Sequence, residues 1–322
     1  MDIKQLIRRK ELLDLKSIDV SNKEWIYMLG EETRNSVAIE GFFASEKELE
    51  AVISRNTEEK NVKAEIINYF RTALFLYDFG LSYRDTDDTP HYLNIIKTLH
   101  SQLHKNLNVH YHIGKFRRNS VQITNARITP PFDASVWIEF FLKYIHFILD
   151  HNDIHQAIAR IHTLFEAIHP FSDGNGRVGR LFMNFILITE GYVNICIKGL
   201  KKQDRERYYN ALEKADTGIE EMFEAEEESF HSKIAIIEKG DFSMMEEIIY
   251  DGILEAMNRC IIMHMDAKNI MTVPQLASLL GITETAVKKR IRSGRLIASK
   301  MGTGKWKVYP QLERSKIPPK EI

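Results

Sequence analysis

Apolar residues recur every three or four positions along most of the chain, the spacing that turns one side of a helix toward a core. Trp25, Ile26, Met28, Leu29, Val37 and Ile39 mark one such helix. Ser21-Asn22-Lys23-Glu24 opens it as a capping box, in which serine and glutamate each satisfy a free amide of the other, and Gly41 closes it. Ser45-Glu46-Lys47-Glu48 repeats the box and starts another. Ile66, Ile67, Tyr69, Phe70, Leu74 and Phe75 predict a helix over Glu65 to Phe79, and Val136 to Leu149, apolar nearly all round, predicts one buried on most sides. Ile154, Ala157, Ile158, Ile161, Leu164, Phe165 and Ile168 carry the rhythm directly up to His169. It breaks between Gly114 and Pro131, where Val121-Gln122-Ile123-Thr124 alternates ahead of Pro130-Pro131 and predicts a short β-hairpin or extended flap.

The pattern thins around Gly240-Asp241, a candidate boundary. Thr272 to Thr283 then reads as a helix and a glycine turn at Gly281, followed by a second helix through Arg292, a helix-turn-helix pattern. Leu296 to Lys300 and Lys305 to Tyr309 flank Gly302-Thr303-Gly304 like a hairpin wing, so the last fifty or so residues resemble small winged-helix modules. The expected fold is mainly α: an N-terminal helical segment (1–60), a core (61–240), a helical connector (241–270) and a winged helix-turn-helix (271–322).

A length of 322 residues with 44% hydrophobic and 28% charged positions suits a globular chain of one large and one small domain. The net charge of -1 gives no overall pull toward nucleic acid or membrane. It conceals an asymmetry: from Met271 onward 11 Lys and Arg face 3 Asp and Glu, leaving 33 against 42 before it, so any DNA contact belongs to the tail. The two cysteines, Cys196 and Cys260, lie in apolar, helical-looking stretches and indicate no disulfide framework. The start lacks the apolar core of a signal peptide, and no uncharged run approaches the roughly 18 residues of a membrane span. A cytoplasmic protein without membrane attachment is expected.

The chemistry concentrates in His169-Pro170-Phe171-Ser172-Asp173-Gly174-Asn175-Gly176-Arg177-Val178-Gly179-Arg180. Glycine-flanked backbone amides can close on an anion, and the apolar run after Gly176 places a helix N-terminus beneath them. Arg177 and Arg180, three apart, share a face of the first turn and could grip phosphates. Asp173 offers a hard oxygen to Mg²⁺, and His169 can take a proton at neutral pH. The loop lacks the GxxxxGK[ST] pattern and follows no strand, which excludes a P-loop NTPase.

The spacing H-x-F-x-D-G-N-G-R-x-x-R resembles the motif of the Fic family without departure at any defining position, and the likeness runs from about residue 20 to 220. It implies a nucleotidyltransferase that moves AMP from ATP to a Ser, Thr or Tyr hydroxyl of a target protein and releases pyrophosphate. By position, it implies His169 as base, Phe171 as packing anchor and Asp173 as Mg²⁺ ligand. Gly174, Asn175 and Gly176 would contact phosphates, with Arg177 and Arg180 on the pyrophosphate side. Ser36-Val37-Ala38-Ile39-Glu40-Gly41 resembles the family's inhibitory motif, [ST]-x-x-x-E-[GN]. The resemblance implies that Glu40 pairs with Arg180 and obstructs the γ-phosphate site. A glutamate in a last helical turn also opposes the macrodipole, by about 0.3–1 kcal/mol, the local conflict that functional positions often show. Glu40 would equally serve to orient water for removing AMP.

Two further segments resemble family parts. Val121, Gln122 and Ile123 fall in the flap that lays a target strand over the site. Tyr208, Tyr209 and Asp216 fall beside the adenine, where relatives often have asparagine in place of Asp216. Aspartate lacks the amide donor, which leaves base selectivity open. His155, His162 and His169 recur at sevens, but two helical turns put them about 10 Å apart, too far to share one ion. A rival reading is a DNA-binding regulator, plausibly dimeric, in which a non-catalytic site senses ATP.

Overall fold

The three- and four-residue apolar rhythm becomes thirteen α-helices among the described residues of the computed structural model. It describes residues 1–13, 23–55, 57–84, 86, 88–123, 126–225, 229–301 and 304–310. Two compact units form, one of Asp19–Tyr250 and one of Met1–Ile18 with Asp251–Ile322. The sequence had put divisions at 60, 240 and 270. The first helix, α1 (Ile3–Leu12), belongs to the smaller unit because Arg9, 0% exposed, donates to Asn258 Oδ1 at 2.6 Å and to the Gly294 carbonyl at 2.7 Å.

The larger unit contains α2 (Lys23–Ile39), α3 (Glu46–Ser54), α4 (Ala64–Arg84), α5 (Tyr92–Leu103), α6 (Ala134–His151), α7 (Ile154–Ile168), α8 (Asn175–Thr189), α9 (Lys202–Glu224) and α10 (Phe230–Ile237). At its centre lie α7 and α8. Every residue from Ala157 to Ile168 is buried, as is all of Asn175 to Ile188 except the half-buried Gly176. The loop joining these two helices, residues 169–174, is therefore held at both ends by core.

Caps fall where residue chemistry placed them. Ser45 accepts from the Glu48 amide while Glu48 accepts from the Ser45 amide at 2.8 Å. The Ser21–Glu24 box lies outside the described residues. Gly41, at φ 84, lets the chain leave α2 with the Phe42 amide bonded back to the Val37 carbonyl at 2.9 Å. Three expectations need correction. The α6 helix is buried along Trp137, Ile138, Phe141, Tyr144, Ile145 and Ile148 but leaves Val136 59% exposed. Cys196 lies in the non-helical stretch after α8. Between Gly114 and Pro131 no described residue is in a strand (124 and 125 are outside the description), so the hairpin gives way to an extended loop. The Arg117 guanidinium binds the carbonyls of Asn119, Pro131 and Phe132 at the two ends of this loop.

In the smaller unit, α11 (Ser243–His264, of which 251–264 belong here) is followed by α12 (Val273–Leu280) and α13 (Glu284–Arg292), with Gly281 at φ 63 making the turn. Antiparallel β2 (Ile297–Met301) and β3 (Lys305–Tyr309) pair from Ile297↔Tyr309 to Met301↔Lys305, and β1 (Met271–Thr272) adds to β3. Val273, Leu276, Val287, Ile291, Leu296 and Val308 form their core. Among the described residues no helix is long and apolar enough to cross a membrane.

Candidate active site

The loop is built from its own side chains. Asn175 Oδ1 accepts from the Phe171 amide and Asn175 Nδ2 donates to the Phe171 carbonyl, both at 2.8 Å, in a site 1% exposed. The Asn175 side-chain amide thus closes the loop on itself. Phe171, 0% exposed, stacks on His100 with ring centroids 4.0 Å apart. Gly174 adopts φ 77, and a Cβ there would strike the His104 ring, so only glycine fits.

His169 ends α7 in the left-handed region at φ 49, an uncommon conformation for a residue with a side chain. Its Nδ1 lies 3.2 Å from the Glu166 carbonyl, which can only accept, so Nδ1 carries the proton and Nε2 keeps a lone pair. Burial first, and Arg117 as a nearby charge, lower its pKa, so the ring is neutral at physiological pH and able to accept a proton. Arg117 also fixes the ring's backbone: Nε donates to the His169 carbonyl at 2.7 Å and Nη2 to that of Ile168 at 3.1 Å. A cation here also complements the C-terminal end of the α7 dipole.

The two motif arginines part company. Arg180, 2% exposed, donates from Nε to Ser36 Oγ at 2.7 Å and from Nη2 to the Ser36 carbonyl at 3.1 Å and Glu40 Oε1 at 2.6 Å. Burial opposes its charge, but Glu40, Tyr208 and Glu166 outweigh it and hold the guanidinium above its ordinary range. A Cβ at Gly176 would overlap Glu40 Oε1, so the carboxylate rests over the first turn of α8, where an anion is drawn by backbone amides and dipole alike. Arg177 instead lies under the Phe42 ring, 5.8 Å from its centroid, with Nη2 3.6 Å from Asp173 Oδ2. Its Nε and Nη1 are buried without a hydrogen-bond partner.

Asp173 collects donors that the sequence did not connect to it. Tyr111 Oη donates to Oδ2 at 3.1 Å, the Gly174 amide donates to Oδ1 at 2.6 Å, and His104 Nε2 stands 3.9 Å away. The His104 imidazole, then Arg177, the Gly174 amide and Tyr111, hold this carboxyl well below the usual range. Its side chain is 60% exposed, so a charged, accessible carboxylate faces solvent, fitting a hard cation that keeps waters and shares phosphate oxygens.

A cavity of about 590 Å³ joins these groups, lined among others by Glu40, Glu166, His169, Asp173, Gly176 and Arg180. Gln122 and Ile123 line it from the loop, and Tyr208, Tyr209 and Asp216 from α9. Val121 is half-buried beside them in sequence. Tyr208, 2% exposed, bonds His162 Nε2 at 2.7 Å, while Tyr209 Oη donates to the Ile39 carbonyl at 2.7 Å, next to Glu40. Burial, then Glu220 and Glu213, push Asp216 up to about 7, so near neutrality a large fraction carries an O–H and regains the donor that aspartate was expected to lack. His155 packs edge-on against Tyr250. Arg117, Tyr111 and Glu166 were missed from sequence: each acts through backbone carbonyls or long-range neighbours, with no motif of its own.

Residues 90–187 match the Fic/DOC family. The chain carries a Fic domain. Over 301 residues it is 29% identical to a probable protein adenylyltransferase of Aquifex aeolicus, covering 90% of this chain and 88% of the relative. The protein adenylyltransferase Fic of Aedes aegypti is 37% identical over 108 residues, which is 33% of this chain and only 21% of the mosquito protein. Among solved structures, a Fic-domain-containing signaling protein from Bacteroides thetaiotaomicron superposes with a TM-score of 0.60 at 18% identity, over 80% of this chain and 97% of that one. A Fic-1 fragment from C. elegans does so with 0.55 at 20%, over 80% and 71%. These two likenesses bear on the fold.

Proposed function

We propose that this protein is an autoinhibited adenylyltransferase that moves AMP from ATP to a hydroxyl of a target protein. The observation that carries the reading is His169: its Nδ1 is committed to the Glu166 carbonyl, leaving a neutral Nε2 in a cavity shared with Arg180. Nε2 takes the proton of the target hydroxyl as its oxygen bonds to the α-phosphorus. The bond from that phosphorus to the bridging oxygen breaks, and pyrophosphate leaves. Gly176 and Arg180 cradle the departing phosphates. Asp173 would hold Mg²⁺, whose charge would offset that of the phosphates. The Gln122 and Ile123 segment presents the target, and Asp216 contacts the base.

In the state described, Glu40 occupies the anion site and the enzyme is held back. Relief of Glu40 exposes Arg180 to the γ-phosphate; the same carboxylate, with a water, suits the reverse removal of AMP. The smaller unit reads as a winged helix. On α13 and the hairpin, Lys288, Lys289, Arg292, Lys300, Lys305 and Lys307 are exposed, a cationic face suited to duplex DNA. A cytoplasmic setting accords with Cys196 and Cys260 forming no disulfide among the described residues.

Mass spectrometry of AMP incorporation tests the reading. Glu40→Gly is expected to modify itself or lysate proteins well above wild type, and adding His169→Ala to abolish it. Incorporation that persists without His169 removes the base. ATP binding without any transfer favours the regulator instead.

A further inference from the structure

Arg180 donates to Ser36 Oγ, the Ser36 carbonyl and Glu40 Oε1, all at the end of α2. Withdrawing Glu40 removes the carboxylate hydrogen-bonded to a cation that is 2% exposed, and a buried charge without a counter-charge is strongly destabilising. A second carboxylate stands close by on a different helix. Glu166 lies on α7 one turn before His169, is 9% exposed, and has Oε1 buried without a hydrogen-bond partner among the described residues, with His162 Nε2 3.9 Å away. Its oxygen rests against Gly179, the residue before Arg180: a Cβ at that position would overlap Oε1. Gly179 thus makes room for a carboxyl group beside the arginine, and that group lines the same cavity as Glu40 and Arg180.

We propose that Glu166 is a positioning residue, the reserve counter-ion that takes over Arg180 when Glu40 gives it up. The inference rests on reading Glu40 as a displaceable brake. Burial pushes the Glu166 carboxyl up to about 8, with Arg180 pulling it down and Glu40 pushing it up, so with Glu40 in place Glu166 is mostly a neutral acid. Other titratable groups facing it are uncharged near neutrality. His162, on α7, is driven down to about 3 by burial, Tyr208 on α9 is held well above its ordinary value, and His169 is lowered. Removing Glu40 deletes the repulsion and leaves the attraction, so Glu166 releases its proton and pairs with Arg180. A phosphate arriving at Arg180 restores the negative charge, and Glu166 takes a proton back. The arginine is neutralised at every stage without α2 having to hold it.

Two measurements that need no AMP transfer test this. Without nucleotide, Glu166→Gln should shift the melting temperature by under about 1 °C where Glu40 is present, yet by more than about 5 °C in the Glu40→Gly protein. Equal shifts in the two backgrounds would overturn the proposal. Should the double variant fail to fold, calorimetry of the Glu40→Gly protein with Mg-ATP decides. In buffers of different ionisation enthalpy at pH 7.5, binding should take up roughly half to one proton, and none overturns the proposal. If Glu40→Gly does not tighten ATP binding at all, the brake reading fails instead, a different and separable result.

Discussion

Asn175→Ala separates a loop clasp from a phosphate ligand. Truncation removes two 2.8 Å hydrogen bonds and leaves both the amide and the carbonyl of Phe171 buried without partners. Each orphaned group costs about 1–3 kcal/mol, and taking both in the lower half of that range gives a total of about 2–4 kcal/mol. At about 2–4 °C per kcal/mol for a unit of this size, the apo protein should melt roughly 5–15 °C lower. Differential scanning calorimetry without nucleotide is the assay, because a residue that only held phosphate would leave the apo transition where it was. Asn175→Asp sharpens the case: it keeps the acceptor for the Phe171 amide but sets a carboxylate against the Phe171 carbonyl, so it should not recover wild-type stability. An apo melting temperature within about 1 °C of wild type for Asn175→Ala would refute the clasp.

Glu32 is buried at 3% exposure and accepts from Tyr69, Tyr77 and Asn194; burial outweighs these bonds and pushes it from 4.5 up to about 7. Its contribution is present below pH 4.5 and lost as pH rises to about 7, by about 1.4 kcal/mol per unit, so Glu32→Gln should flatten the stability profile across that window. On the smaller unit, Lys288, Lys289 and Arg292 changed together to alanine should lower duplex DNA binding measured by anisotropy and reduce the salt slope by up to roughly 3; an unchanged slope would remove DNA from that face.

What the sequence made legible was local. Apolar spacing located α7 and α8, the capping box located α3, and Gly41 located the end of α2. The pairing of Glu40 with Arg180, 140 residues apart, was reached through a resemblance, and the 2.6 Å contact agrees with it. Illegible parts depend on distant backbone. Arg117 looks like any loop cation until its guanidinium is seen holding the carbonyls of Ile168 and His169 as well as the loop's own. Asp173 looked like a lone carboxylate, because nothing in chain order ties it to Tyr111 or His104. The three-residue spacing of Arg177 and Arg180 puts them on one face but says nothing of their separate neighbours. Asp173 and Phe42 draw one aside while Ser36 and Glu40 hold the other, and such partners have no period to read.

The placement of Glu40 follows from the same physics that suits the loop to phosphate. A helix N-terminus, a glycine that clears its approach and a buried guanidinium attract any anion, and a cation in a low-dielectric interior needs one nearby. A carboxylate from the chain itself is the ligand always at hand, tethered at high effective concentration by Gly41 and the end of α2. On the proposed function, phosphate and Glu40 compete for one arginine, and anything that shifts the end of α2 changes that contest. Tyr209, which donates to the Ile39 carbonyl from the cavity wall, ties that helix end to the cavity-facing side of α9.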